Sequence, residues 1–94
     1  MVHPPTIIAV TNSSVKMSII PLRGTSASGM LKYSIKFRKV GGSDWTFTSK
    51  HSSLSRTVTG LNANTLYKFK VVVKYRGKTL TSQSVAVQTK ATGK

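Results

Sequence analysis

The stretch Thr57-Val58-Thr59-Gly60-Leu61-Asn62-Ala63-Asn64-Thr65-Leu66-Tyr67-Lys68-Phe69-Lys70-Val71-Val72-Val73 decides how the rest of the chain is read. Val58 ends one strand, Leu61 drops inward from a turn, and Tyr67, Phe69, Val71 and Val73 then alternate with Leu66, Lys68, Lys70 and Val72. Successive side chains of a strand point to opposite faces, so this period of two predicts a strand over residues 66–74 with the first set in the core. The residues between Val58 and Leu66 form the corner that joins two strands.

Downstream, Tyr75-Arg76-Gly77-Lys78 predicts a tight hairpin, with Gly77 free to take positive φ, followed by a strand from about 80 to 89 with Val85 and Val87 inward. Residues 90–94 read as a short tail. Upstream, residues 54–59 form a strand, His51-Ser52-Ser53 a loop, and Trp45-Thr46-Phe47-Thr48 a short strand whose two aromatics share a face. Gly41-Gly42-Ser43 closes a turn. Before it, Leu31, Tyr33, Ile35 and Phe37 alternate with Lys32, Ser34, Lys36 and Arg38, the cleanest alternation in the chain. Residues 22–29 are small and polar and predict a loop after Pro21. Val15, Met17 and Ile19 mark another strand, and Asn12-Ser13-Ser14 is a polar turn that also spells a glycosylation sequon. The first strand, residues 6–10, follows Pro4 and Pro5 and carries Ile8 and Val10 on one face; prolines at the start suit an edge, where a missing N–H is harmless. Short strands separated by turn signals, with no helical period, predict an antiparallel sandwich or barrel.

Ninety-four residues suffice for one small domain, with a core over about 5–89. The composition is unusual in charge: charged residues are 17% against roughly 25% in an average domain, yet the net charge is +14. Lys and Arg number 15 while Asp44 is the only acidic side chain, so acids are depleted more than bases are enriched. At most one carboxylate can pair with those cations, which leaves self-repulsion that salt or a polyanion would relieve. High net charge also serves solubility alone. There is no cysteine, hence no disulfide or thiolate metal site, and no apolar run long enough to span a bilayer or act as a signal core.

Catalysis has almost no raw material. One carboxylate rules out a carboxylate acid–base pair, and His3 and His51 alone make no metal-ligand cluster. A nucleophilic triad would need His51, Asp44 and a serine to converge from loops with no nucleophile motif nearby. Gly41-Gly42-Ser43 is not followed by a helix that could present N–H groups to phosphate, so it reads as a hairpin turn. The chain is expected to be no enzyme and to use neither metal nor cofactor.

Gly60-Leu61-x-x-Asn64-Thr65-x-Tyr67 resembles the tyrosine corner of Greek-key sandwiches in its fibronectin type III form. With Pro5, Ile8 and Val10, residues 14–19, residues 33–38, Trp45 and residues 84–89, the chain resembles a fibronectin type III domain over almost its full length. The resemblance implies a seven-stranded antiparallel Greek-key β-sandwich, all β. The chain departs from the family pattern at Ile19, where a Trp is usual, so that Met17 and Met30 are expected to take up core volume. It also departs at Ala63, usually Pro, and at Leu66, often acidic. Arg23-Gly24 is followed by Thr25 and Arg76-Gly77 by Lys78, so the integrin-binding motif of some members is absent.

In a sandwich of this type the strands at 31–38 and 66–74 are neighbours in one sheet. Lys32, Lys36 and Arg38 then share an outer face with Lys68, Lys70 and Lys74, six cations on adjacent strands, with no aromatic interleaved. A solvated lysine face is the plain reading; the functional one is a docking face for a sulfated glycan, nucleic-acid phosphates or an anionic membrane. Without aromatics, base stacking finds no support, and nucleic acid would be held only non-specifically through its backbone. The resemblance implies heparin-like glycans, a monomeric binding or adhesion module and an extracellular or cell-surface setting. It also implies that the loops carrying Arg23, Arg76 and Lys78 are placed to meet a protein partner. Two other readings stand beside this one: an engineered or resurfaced scaffold, suggested by the single carboxylate and by where the chain begins and ends, and a structural spacer in a longer chain.

Overall fold

The alternation that dominates the sequence becomes the two central strands of one sheet. The computed structural model describes residues 2–20, 32–50, 54–75 and 77–92. Arg23 and its loop at 22–29, Met30, Leu31, the loop at 51–53 and Arg76 lie outside them. Strands β3 (Tyr33–Lys39) and β6 (Leu66–Tyr75) pair antiparallel, with Tyr33 opposite Val73, Ile35 opposite Val71 and Phe37 opposite Phe69. Inward residues therefore meet inward residues. Strand β4 (Thr46–Phe47) flanks β3, while β7 (Lys78–Thr81) and β8 (Val85–Gln88) both pair with the far side of β6, giving a five-stranded sheet. The second sheet orders β1 (Thr6–Val10), β2 (Val15–Ser18) and β5 (Ser55–Val58).

The two sheets close on one hydrophobic core. Val15, Met17, Ile19 and Val58 from the smaller sheet meet Tyr33, Ile35, Tyr67, Phe69, Val71, Val73 and Val87 from the larger. Phe69 is fully buried, with its ring stacked on Phe37 at 5.8 Å and tilted against Tyr67 at 6.2 Å. Each such side chain contributes about 1.5–3 kcal/mol by leaving water. Met17 and Ile19, where the family usually places a Trp nearby, are both buried, so aliphatic side chains fill that layer.

The tyrosine corner forms as its sequence implies. Tyr67 is buried and its hydroxyl accepts the Asn62 N–H at 2.8 Å, while Leu61 is buried beside it. Gly60 and Asn64 take positive φ, +74° and +52°, which a β-branched residue would resist. The Leu61 N–H donates to the Ser13 carbonyl at 2.9 Å, tying this corner to the turn between β1 and β2. That turn is held by Thr11, whose hydroxyl accepts the Ser14 N–H at 2.9 Å.

Two expectations need correction. Ile8 and Val10 were expected on one face, but a bulge lies between Ile7 and Ala9, so that Ile7 faces Met17 while Ala9 already faces Lys16. The extra residue shifts the parity. Ile7 and Val10 pack on the core and Ile8 is 57% exposed. The strand expected over about 80–89 is two strands, which makes eight among the described residues in place of seven. Thr81 pairs with Val72 but Val85 with Phe69, so the edge carries one residue more than β6. Ser82 fills the break: its N–H donates to the Val71 carbonyl and its hydroxyl accepts the Val71 N–H, both at 2.9 Å.

Arg56 is a buried cation that sequence reasoning did not single out. On β5 it shares the inward parity of Val58 and is only 9% exposed. Its guanidinium crosses to the other sheet, donating to the Tyr33 carbonyl at 2.6 Å, the Ser49 carbonyl at 2.6 Å and the Thr48 hydroxyl at 3.1 Å. Burial pulls its pKa below the ordinary arginine value.

Candidate polyanion-binding face

The inward set of β3 and β6 fixes the outward set. Lys36 lies directly opposite Lys70 and Arg38 directly opposite Lys68. Cross-strand neighbours sit about 5 Å apart at Cβ, and like charges placed so are unfavourable unless screened or bound. These four are half-buried. Lys32 and Lys74 are exposed and share the parity, but the Ser34–Val72 pair separates them from the rest. From Lys70 to Lys74 is about 13 Å along the strand. The six expected cations thus divide into a central four and an outlying two.

Lys78 does not join them. It pairs with Tyr75, on the other side of the pleat from Lys74 and Thr79.

The expectation that no aromatic interleaves this face is overturned. Thr46 pairs with Phe37 and Phe47 with Lys36, so Thr46 takes the inward parity and the aromatics on either side of it point outward. The Trp45 ring centroid lies 5.0 Å from Lys36 Nζ, 4.9 Å from Arg38 Cζ and 5.2 Å from Lys70 Nζ. Phe47 is 59% exposed, 5.8 Å from the same Lys36 nitrogen. The two aromatics do share a face, as their spacing implies, but it is the basic one. Sequence held the signal only through register: a slip of one residue in this short strand would have turned both rings inward.

Arg38 has a second attachment. It donates to the Gly42 carbonyl at 2.6 Å, bracing the turn in which Gly41 takes a φ of +93°. Next to that turn a cleft of about 410 Å³ runs to the tyrosine corner, lined by Phe37, Arg38, Asp44, Gly60, Asn62 and Tyr67 among others. The only carboxylate of the chain thus lines the cleft that begins at one end of the basic face. Among the described residues no three His, Asp or Glu side chains come together to hold a metal, and no helix is long and apolar enough to cross a membrane.

A face of this kind can hold anions by charge and apolar rings by contact. Comparison with curated protein sequences gives no match. Among solved structures, the fibronectin type III domain of human fibronectin type III domain containing protein 3 is similar, with a TM-score of 0.83 and 20% identity, covering 98% of this chain and 86% of that one. A domain of human collagen XX has a TM-score of 0.76 at 24% identity over 95% and 92%. Domains from titin have 0.77 at 19% over 96% of this chain and 32% of theirs. At such identities the likeness shows the fold. The family model of the fibronectin type III domain matches residues 2–90. Such domains are generally non-catalytic, commonly serve as binding modules or spacers, and occur in extracellular and surface proteins and in some intracellular ones. With the corner, the paired sheets and a family model running through nearly the whole chain all in agreement, this chain belongs to the fibronectin type III family.

Proposed function

We propose that this domain is a non-catalytic, monomeric binding module whose β3–β6 face docks a sulfated glycan. The observation that carries the reading is the direct opposition of Lys36 to Lys70 and of Arg38 to Lys68, in a chain with one carboxylate. Such an arrangement costs stability in the free domain, and a polymer bearing anions at close intervals turns the cost into affinity. Trp45 and Phe47 at the same face favour a glycan over bare phosphate, because pyranose rings present apolar faces as well as charge. The reading carries an extracellular or cell-surface location with it, where sulfated glycans are found. Lys32 and Lys74 extend the track for a longer chain, and Arg23, Arg76 and Lys78, the last at the first residue of β7 and not in a loop, are left for a protein partner.

The test is binding to heparin and to duplex DNA over a salt series, comparing the wild type with a variant carrying Lys36→Ala, Arg38→Ala, Lys68→Ala and Lys70→Ala. The variant is expected to keep its fold by circular dichroism, since like charges are removed. It should lose at least roughly tenfold in heparin affinity, a cautious fraction of about 1 kcal/mol per cation at an anionic surface. DNA binding should be weaker from the start and fall less. Equal, steeply salt-dependent binding to both polymers, barely changed by the substitutions, would mean that the charge acts diffusely and that a spacer or scaffold role is the better account.

A further inference from the structure

We infer that Trp45 is the positioning residue of this face, its indole gathering Lys36, Arg38 and Lys70 into one compact site for a sulfate- or carboxylate-bearing polymer. The inference rests on the docking reading for its ligand, but the gathering itself is a property of the free domain.

The placement is specific. β4 lies on one flank of β3 and β6 on the other. Trp45 precedes β4, yet its ring lies 5.2 Å from the Nζ of Lys70, whose backbone is on β6, so the indole and the lysine side chain between them bridge the width of β3. Three cation centres within 4.9–5.2 Å of one ring cannot lie more than about 10 Å from one another, which is no greater than the screening length at 0.1 M salt. They repel at that range. The only acidic side chain that could offset them, Asp44, lines the neighbouring cleft.

The indole supplies what the carboxylate does not. The negative face of an aromatic ring attracts a cation, and Trp does so more strongly than Tyr or Phe. Because the ring is neutral, it draws the heads together without cancelling their charge. Lysines that would otherwise splay into solvent are thereby prepaid in conformation, and a bound anion meets three donors already tethered to one ring. Phe47, at 5.8 Å from Lys36 Nζ and largely exposed, stands next to the group as an apolar rim against which a sugar ring can lie. The same residue pattern with Leu at position 45 would carry the same net charge and a weaker site.

Trp45 is the only tryptophan, and two variants separate shape from ring chemistry: Trp45→Phe keeps an aromatic face, and Trp45→Leu keeps bulk without one. The first readout needs no ligand. In the wild type the ε-methylene protons of Lys36 and Lys70 should be shifted upfield by the indole ring current, and the shift should vanish in Trp45→Leu. The second readout is affinity for a size-defined heparin oligosaccharide. Trp45→Leu should bind about fivefold to tenfold more weakly, with a shallower salt dependence, while Trp45→Phe stays within about threefold of the wild type. Lysine protons at ordinary positions in the wild type would overturn the inference, whatever the heparin result. So would a Trp45→Leu protein that binds as the wild type does while the fourfold alanine variant does not. If the wild type shows the ring-current shifts but binds no heparin, the gathering stands and the docking reading fails. If Trp45→Leu does not fold, the wild-type shifts and the Trp45→Phe affinity decide.

Discussion

Phe69→Ala is expected to lower the unfolding free energy by about 3–5 kcal/mol, the range for removing a buried aromatic ring. Phe69 has no exposed surface and packs against the rings of Phe37 and Tyr67, at 5.8 and 6.2 Å, which also touch each other at 6.3 Å. Deleting it costs the transfer of the ring from water and leaves a cavity whose walls belong to two paired strands. Those strands cannot collapse into the space without breaking the register that aligns Phe37 with Phe69. A domain of this size has about 5–15 kcal/mol in total, so the variant would retain a small margin. Urea unfolding should show a lower midpoint at an unchanged slope. A loss under about 1 kcal/mol would mean that this part of the core is not packed as described.

Arg56→Leu is expected to cost about 3 kcal/mol, although leucine is the more hydrophobic side chain. Three bonds from a charged donor hold the edge of the smaller sheet to β3 and to the segment after β4. Leucine would leave the Ser49 carbonyl and the Thr48 hydroxyl without this donor, and hydrogen bonds from ionised groups are worth about 1.5–3 kcal/mol each. Relief of the guanidinium's desolvation, the cause of its lowered pKa, returns part of that sum. Arg56→Lys should recover under half of the loss, since an ammonium cannot reach three acceptors with the planar fork. A leucine variant as stable as the wild type would show that the crossing between the sheets carries no weight.

These two residues also mark how far the chain could be read before its structure. Phe69 was legible because residues 66–74 alternate, and a long period of two fixes the faces of the strand. That Lys36 and Lys70 share an outer face followed from the same parity; their direct opposition is a matter of register, which the sequence does not carry. Arg56 shares the inward parity of Val58, but local sequence does not say which carbonyls a buried guanidinium will meet in the opposite sheet. Trp45 and Phe47 were placed on a common face but wrongly left off the basic one, because a strand of two residues has no period of its own to set against β3. Ile8 was misassigned for a related reason: a bulge changes parity without leaving a turn residue behind. The division of the last strand at Ser82 turns on a single hydroxyl accepting a backbone N–H, a contact between residues 11 apart.

The central claim is that one face, organised around Trp45, is where the polyanion sits. The most direct measurement is an amide and indole chemical-shift titration of the ¹⁵N-labelled domain with a heparin oligosaccharide at about 0.15 M salt, where distant charges are screened. The account predicts that the amides of Lys36, Arg38, Lys68 and Lys70 and the single indole N–H move first and furthest, while β1, β2 and β5 stay still. Shifts confined to the β1–β2–β5 sheet, or spread evenly over both sheets, would contradict it.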